Sequence, residues 1–118
     1  MENELKFSLK VILPCGKRFG RGKAELMQNI DTLGSISAAA TKMKMSYPRA
    51  SRLVGEINAM FADQVIETYQ GGASKGGACL TEKGHSILNS YLKWTKDICD
   101  SSETLTSTFL SPKASGKT

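Results

Sequence analysis

The stretch "GSISAAATKMKMSYPRASRLVGEINAMF" (residues 34–61) holds two helix starts in close succession, each opened by a serine. Ser35 or Ser37 can cap a short helix with the body "AAATKMKM", and Ala38, Ala39 and Ala40 leave room for a second helix to approach closely. Ser46 then caps a longer helix, with Pro48 in its first turn, where a missing N–H costs little. At about 100° per residue, Ala50, Leu53, Val54, Ile57 and Phe61 form one apolar stripe. Pro48, Arg52, Gly55 and Ala59 fall opposite it, and Arg49 and Glu56 lie on the flank. Two short helices joined by a tight turn form a helix-turn-helix.

The flanking segments extend this unit. Leu5, Phe7, Leu9, Val11 and Leu13 alternate with Lys6, Ser8, Lys10 and Ile12, the period of a strand with one buried face. "PCGKRFG" supplies a turn and a short return strand. From Gly22 the period becomes helical through Leu26, Met27, Ile30 and Leu33, and Gly34 is the stop. After residue 61, "VIETYQ" and "ACLT" read as two strands of a hairpin. "TEKGHSILNSYLKWTKDIC" is a last helix with Thr81 as N-cap and Glu82 at the positive end of its dipole. Its apolar set (Ile87, Leu88, Tyr91, Leu92, Trp94, Ile98) is too broad for one seam and predicts a second contact surface. The expected fold is mainly α with a small β component: a winged helix-turn-helix over residues 1–100, with an N-terminal strand and a long C-terminal dimerisation helix. Residues 101–118, rich in Ser and Thr, are expected to be a mostly disordered tail.

Composition excludes several classes. Sixteen Lys and Arg against eleven Asp and Glu give +5, a basic excess compatible with nucleic acid. Three separated cysteines (Cys15, Cys79, Cys99) and one histidine (His85) cannot supply a structural zinc site, so no metal is expected. The same cysteines argue against a disulfide framework and for a reducing, cytoplasmic compartment. No apolar run approaches membrane-spanning length, so no membrane association is expected. Cys79 and His85 are close in sequence, but a strand end and a helix start need not point together. No catalytic residue and no cofactor is expected, and the chain is read as a non-enzyme.

The glycine-rich "GGASKGG" (residues 71–77) is not a P-loop, because it lacks the GK[ST] end and leads into a strand. "GKRFGRGKA" fails too: five residues separate Gly16 from Gly22, and Ala24 stands where a hydroxyl is required. Between two strands the loop reads as a wing, whose Ser74 and Lys75 can lie beside a DNA backbone. From Lys42 to Arg52 there are four basic residues and no acidic one. Lys44 sits in the turn; Arg49 and Arg52 start the recognition helix, where they can reach guanine edges or phosphates. Ser35 and Ser37 can hold a phosphate at a helix start, and Tyr47 is half core, half phosphate contact. The expected DNA-contacting set is Ser35, Ser37, Lys44, Ser46, Tyr47, Pro48, Arg49, Arg52, Ser74 and Lys75.

"GRGKAELMQNIDTLGSISAAATKMKMSYPRASRLVGEINAMF" followed by "GGASKGGACLTEKGHSIL" resembles the N-terminal DNA-binding domain of the ModE family, bacterial molybdate-responsive regulators with a LysR-like winged helix. The resemblance covers roughly residues 4–95. Its sharpest pieces are "GSISAAA", the "SY" pair with Ala50 and Asn58, and the wing ending in "LTEKG". It implies that Ser46, Tyr47 and Arg49 begin the recognition helix and that Gly71, Gly72, Gly76 and Gly77 are the wing glycines. It further implies a homodimer on palindromic double-stranded DNA, built by the first strand and the first and last helices, through Leu26, Ile30, Leu88, Tyr91, Leu92 and Trp94. Ser51 stands where the family often has Trp, Pro48 is unusual, and Lys75 occupies a wing position where glycine is common. Molybdate-sensing members carry C-terminal oxyanion-binding domains; this chain has a Ser/Thr-rich tail there, so no molybdate site is expected. The leading expectation is a sequence-specific regulator without an effector domain. The alternatives are a winged-helix protein-interaction module and a non-specific DNA binder.

Overall fold

The local signals at helix ends decide most of the architecture. The computed structural model describes residues 5–70 and 76–110. Helix α1 (Arg21–Leu33) ends at Gly34, whose φ of +82° is the left-handed C-cap that glycine adopts without penalty. Helix α2 (Ile36–Lys42) is capped by Ser35, whose hydroxyl accepts from the Ala38 N–H at 3.0 Å. Helix α3 (Tyr47–Met60) is capped in the same way by Ser46, which accepts from the Arg49 N–H at 3.2 Å. Strands β3 (Ile66–Tyr69) and β4 (Gly77–Leu80) pair antiparallel, with Ile66 opposite Leu80 and Tyr69 opposite Gly77. Helix α4 (Glu82–Ser101) starts at Thr81, whose hydroxyl accepts from the Gly84 N–H at 3.0 Å. The architecture is mainly α with two small antiparallel sheets, as expected.

One core joins these elements. Leu26, Met27 and Ile30 of α1, Ala39 and Ala40 of α2, Ala50, Val54, Ile57 and Met60 of α3, and Val65, Ile66, Ala78 and Leu80 of the hairpin are all buried. Leu53 and Phe61, expected on the stripe, pack against its edge. Leu88 and Tyr91 bring the first half of α4 onto the same core. The Tyr91 ring meets Phe19 edge-on at 5.4 Å, its hydroxyl donates to the Leu9 carbonyl at 2.6 Å, and burial pushes its phenol above the ordinary value.

Two expectations need correction. The N-terminal strand is regular only at β1 (Val11–Ile12), paired with β2 (Arg18–Phe19); residues 5–10 run beside the core without a ladder partner among the described residues. The tail is not structureless throughout. A 3₁₀ turn (Glu103–Leu105) and helix α5 (Thr106–Leu110) follow α4, carried by local hydrogen bonds such as Thr106 Oγ1 to the Ser102 carbonyl at 3.0 Å. Leu26, Ile30, Leu88 and Tyr91, expected at a dimer interface, are buried in the chain's own core, and Tyr91 also lines two surface hollows. Of that set, Leu92 and Trp94 are exposed.

Candidate nucleic-acid interface

The turn between α2 and α3 is held by main-chain bonds: the Met43 N–H donates to Ala39, the Lys44 N–H to Thr41 and the Met45 N–H to Ala40. Lys44 takes φ +58°, a left-handed conformation that costs a non-glycine residue about 1 kcal/mol. The turn thereby joins α2 to α3 within four residues, Met43 to Ser46, and the two helices pack together. The Lys44 side chain is exposed at the turn's tip.

Helix α3 presents three kinds of surface. Its buried stripe faces α1, α2 and the hairpin. Its outward face carries Pro48, Arg52, Gly55 and Ala59, all exposed, and a β-carbon added at Gly55 would meet only open space. The low relief beside Arg52 lets another body approach the helix backbone closely. One flank, with Tyr47, Ser51 and Asn58, faces the hairpin across a concavity of about 650 Å³ that also includes Ser35 and Ser37 at the start of α2. The other flank carries Arg49 and Glu56, both exposed. Neither Arg49 nor Arg52 makes an ion pair among the described residues.

The β3–β4 pair is anchored to this frame at both strands. The Ala78 N–H of β4 donates to the Gly34 carbonyl at 2.9 Å, fixing the hairpin to the end of α1. Asn58 of α3 clamps the other strand: its Oδ1 accepts from the Val65 and Ile66 N–H groups, each at 2.9 Å, and its Nδ2 donates to the Ile66 carbonyl at 3.0 Å. At the hairpin's exit, Gly84 is buried against the Val65 carbonyl oxygen, which a β-carbon there would overlap.

The structure therefore gathers Ser35, Ser37 and Tyr47 around one concavity, with Arg49 and Arg52 on the adjoining faces of the same helix. Ser35 is occupied as a cap through its side chain; Ser37 is exposed. Tyr47, expected to be half in the core, is 53% exposed and belongs to the surface. Ser46 and Pro48 open α3 and are exposed. Gly76 and Gly77 close the hairpin beside Tyr69, whereas Gly71, Gly72, Ser74 and Lys75 lie outside the described residues. Asn58 is the positional residue that periodicity missed. An asparagine on the flank of an amphipathic helix gives no sign of bonding backbone groups seven and eight residues away.

No protein-family model matches the chain. Over 76 residues it is 37% identical to "Molybdenum-pterin-binding protein MopB" of Rhodobacter capsulatus, a match covering 64% of this chain and 28% of that protein. Over 71 residues it is 32% identical to "Molybdenum-pterin-binding protein MopA" of the same organism, covering 60% of this chain and 27% of the relative. The chain thus spans little more than a quarter of the length of these curated relatives. Both names concern molybdenum, the element that the ModE resemblance also implies.

Other chemistry is sparse. Among the described residues no group of three or more His, Cys, Asp and Glu side chains is placed to hold a metal, and no helix is long and apolar enough to cross a membrane. His85 Nε2 lies 3.0 Å from Asp31 Oδ1 and ties α4 to α1, while Cys79 is exposed on β4.

Proposed function

We propose that this chain is a sequence-specific DNA-binding transcriptional regulator that acts in the bacterial cytoplasm as a homodimer on a palindromic operator and catalyses no reaction. The observation that carries the reading is α3 itself. It is a capped helix with a low outward face, two arginines without ion partners among the described residues, and a hairpin anchored alongside it. A helix with its side chains is about 10–12 Å across and a major groove about 12 Å wide, so such a face enters the groove with Arg52 toward base edges.

Self-association is supported by the far half of α4. After Thr95 every residue of that helix is exposed, and Trp94 (52% exposed) and Ile98 (36% exposed) form an apolar pair one turn apart. Phe109 of α5 is 79% exposed. Apolar surface of this kind at the end of a helix leaving the core is what a second copy covers.

The test is selection of binding sites from a randomised duplex pool at near-physiological salt. An inverted repeat with half-sites about one helical turn apart is expected. Salt-sensitive binding without enrichment would leave a non-specific binder, and no binding would favour a protein-interaction module.

The relatives' names favour a second reading, molybdenum–pterin binding. The matched stretch is little more than a quarter of those proteins. The concavity beside α3 is lined, among the described residues, by no charged side chain. Equilibrium dialysis of the chain with molybdate and with a molybdenum–pterin is expected to retain neither. Stoichiometric retention of either would move the assignment to molybdenum.

A further inference from the structure

The flank of α3 turned away from the wing carries a second cationic feature. The β1–β2 connection is a tight turn: the Gly16 N–H donates to the Leu13 carbonyl at 2.8 Å and the Leu13 N–H donates to Lys17 at 2.9 Å. It delivers Lys17 and Arg18, both exposed, to a concavity of about 500 Å³ that they line with Gly16, Lys23, Glu56 and Met60. Lys23 is half-buried, and its Nζ lies 3.6 Å from Glu56 Oε1. Three cations thus share one wall with one carboxylate, which pairs with the most buried of them, Lys23.

This hollow continues the charged side of α3. Glu56 stands about one helical turn beyond Arg52 and two beyond Arg49, so the hollow that Glu56 lines adjoins the part of the helix surface that carries both arginines. The wing and the α2 start lie on the other side. A helix seated in a major groove has a phosphodiester strand at each rim, because groove and helix have nearly the same width. Contacts from Ser35, Ser37 and the wing account for one rim only.

We propose that the Lys17–Arg18–Lys23 concavity binds the phosphodiester strand at the other rim, so that the duplex is gripped on both sides of α3; the inference rests on the DNA-binding reading above. The contact is to phosphate oxygens and carries no base preference. Glu56 orients Lys23 and at the same time opposes the phosphates.

The experiment is a titration of fluorescent duplex with the full chain at several KCl concentrations, comparing the wild type with Lys17→Ala/Arg18→Ala. Losing two phosphate contacts makes the slope of log K against log salt shallower by about 1.8 and weakens binding roughly 10- to 60-fold near 0.1 M salt. The ratio of operator to random-duplex affinity stays constant, and hydroxyl-radical protection shortens at one rim. Lys17→Gln/Arg18→Gln, which keeps the side-chain stems, gives the same loss if charge is the cause. Glu56→Gln raises affinity for both duplexes. An unchanged salt slope with intact binding overturns the inference, leaves the DNA reading standing, and gives the hollow to an acidic protein surface. A wild type that binds no duplex overturns both.

Discussion

Helices α3 and α4 each bury one face on the same core, yet what they leave exposed differs in kind. On α4 every exposed lysine after Tyr91 has an acidic partner one turn later: Lys93 with Asp97 and Lys96 with Asp100, with shortest distances of 2.8 Å. Leu92 flanks that charged strip on one side and Trp94 and Ile98 on the other, all three exposed. On α3 the exposed face has arginines without ion partners among the described residues, and small residues where α4 has large apolar ones. Neutralised charge beside apolar bulk matches another protein surface, and unneutralised cations beside low relief match a polyanion. Amphipathicity is shared by both helices and does not separate these roles; the chemistry of the exposed residues does.

Substitutions can break this contrast. The largest effect is expected from Trp94→Glu/Ile98→Glu, which places two carboxylates in the apolar pair and should weaken self-association by about 100-fold or more. Sedimentation velocity reads it directly; an unchanged dimer would move the interface off α4. Next is Asn58→Ala, which removes three hydrogen bonds between α3 and the hairpin and should cost about 2–3 kcal/mol in urea unfolding. A loss well under 1 kcal/mol would mean that the clamp is redundant with the β4 anchor at Gly34.

Arg52→Ala should weaken operator binding by about 1–3 kcal/mol and random-duplex binding by less, measured as a ratio of affinities. Equal loss on both makes Arg52 a phosphate contact. The smallest effect is also the most discriminating. Lys44→Gly relieves a left-handed lysine and should stabilise the fold by about 1 kcal/mol while lowering DNA affinity. A variant that is more stable and binds equally well would remove Lys44 from the interface.

The helix ends were legible because capping is local. Gly34, Ser46 and Thr81 each act within three or four residues of themselves, and the structure places all three as caps. The ownership of apolar faces was not legible. The 3.6-residue period marks Leu26 and Ile30 as inward without saying whether they meet their own core or a partner's, and they meet their own. The N-terminal alternation marks a strand face, but two paired residues suffice here because Tyr91 and Phe19 close the site from the other side. Glu56 and Lys23 lie on different helices, so the cationic hollow has no signature along the chain.

Val65 is a single residue at which three elements converge. Asn58 of α3 accepts from its N–H, Thr81 donates to its carbonyl, and the first turn of α4 rests on that carbonyl through Gly84. Helix α4 is about 30 Å long at 1.5 Å per residue, so it acts as a lever pivoted there. A tilt of about 10° at the pivot moves the far end by about 5 Å, more than the 3.4 Å that one nucleotide adds along a duplex axis. In the proposed dimer joined through the far ends of α4, the stiffness of this joint governs the distance between the two α3 helices.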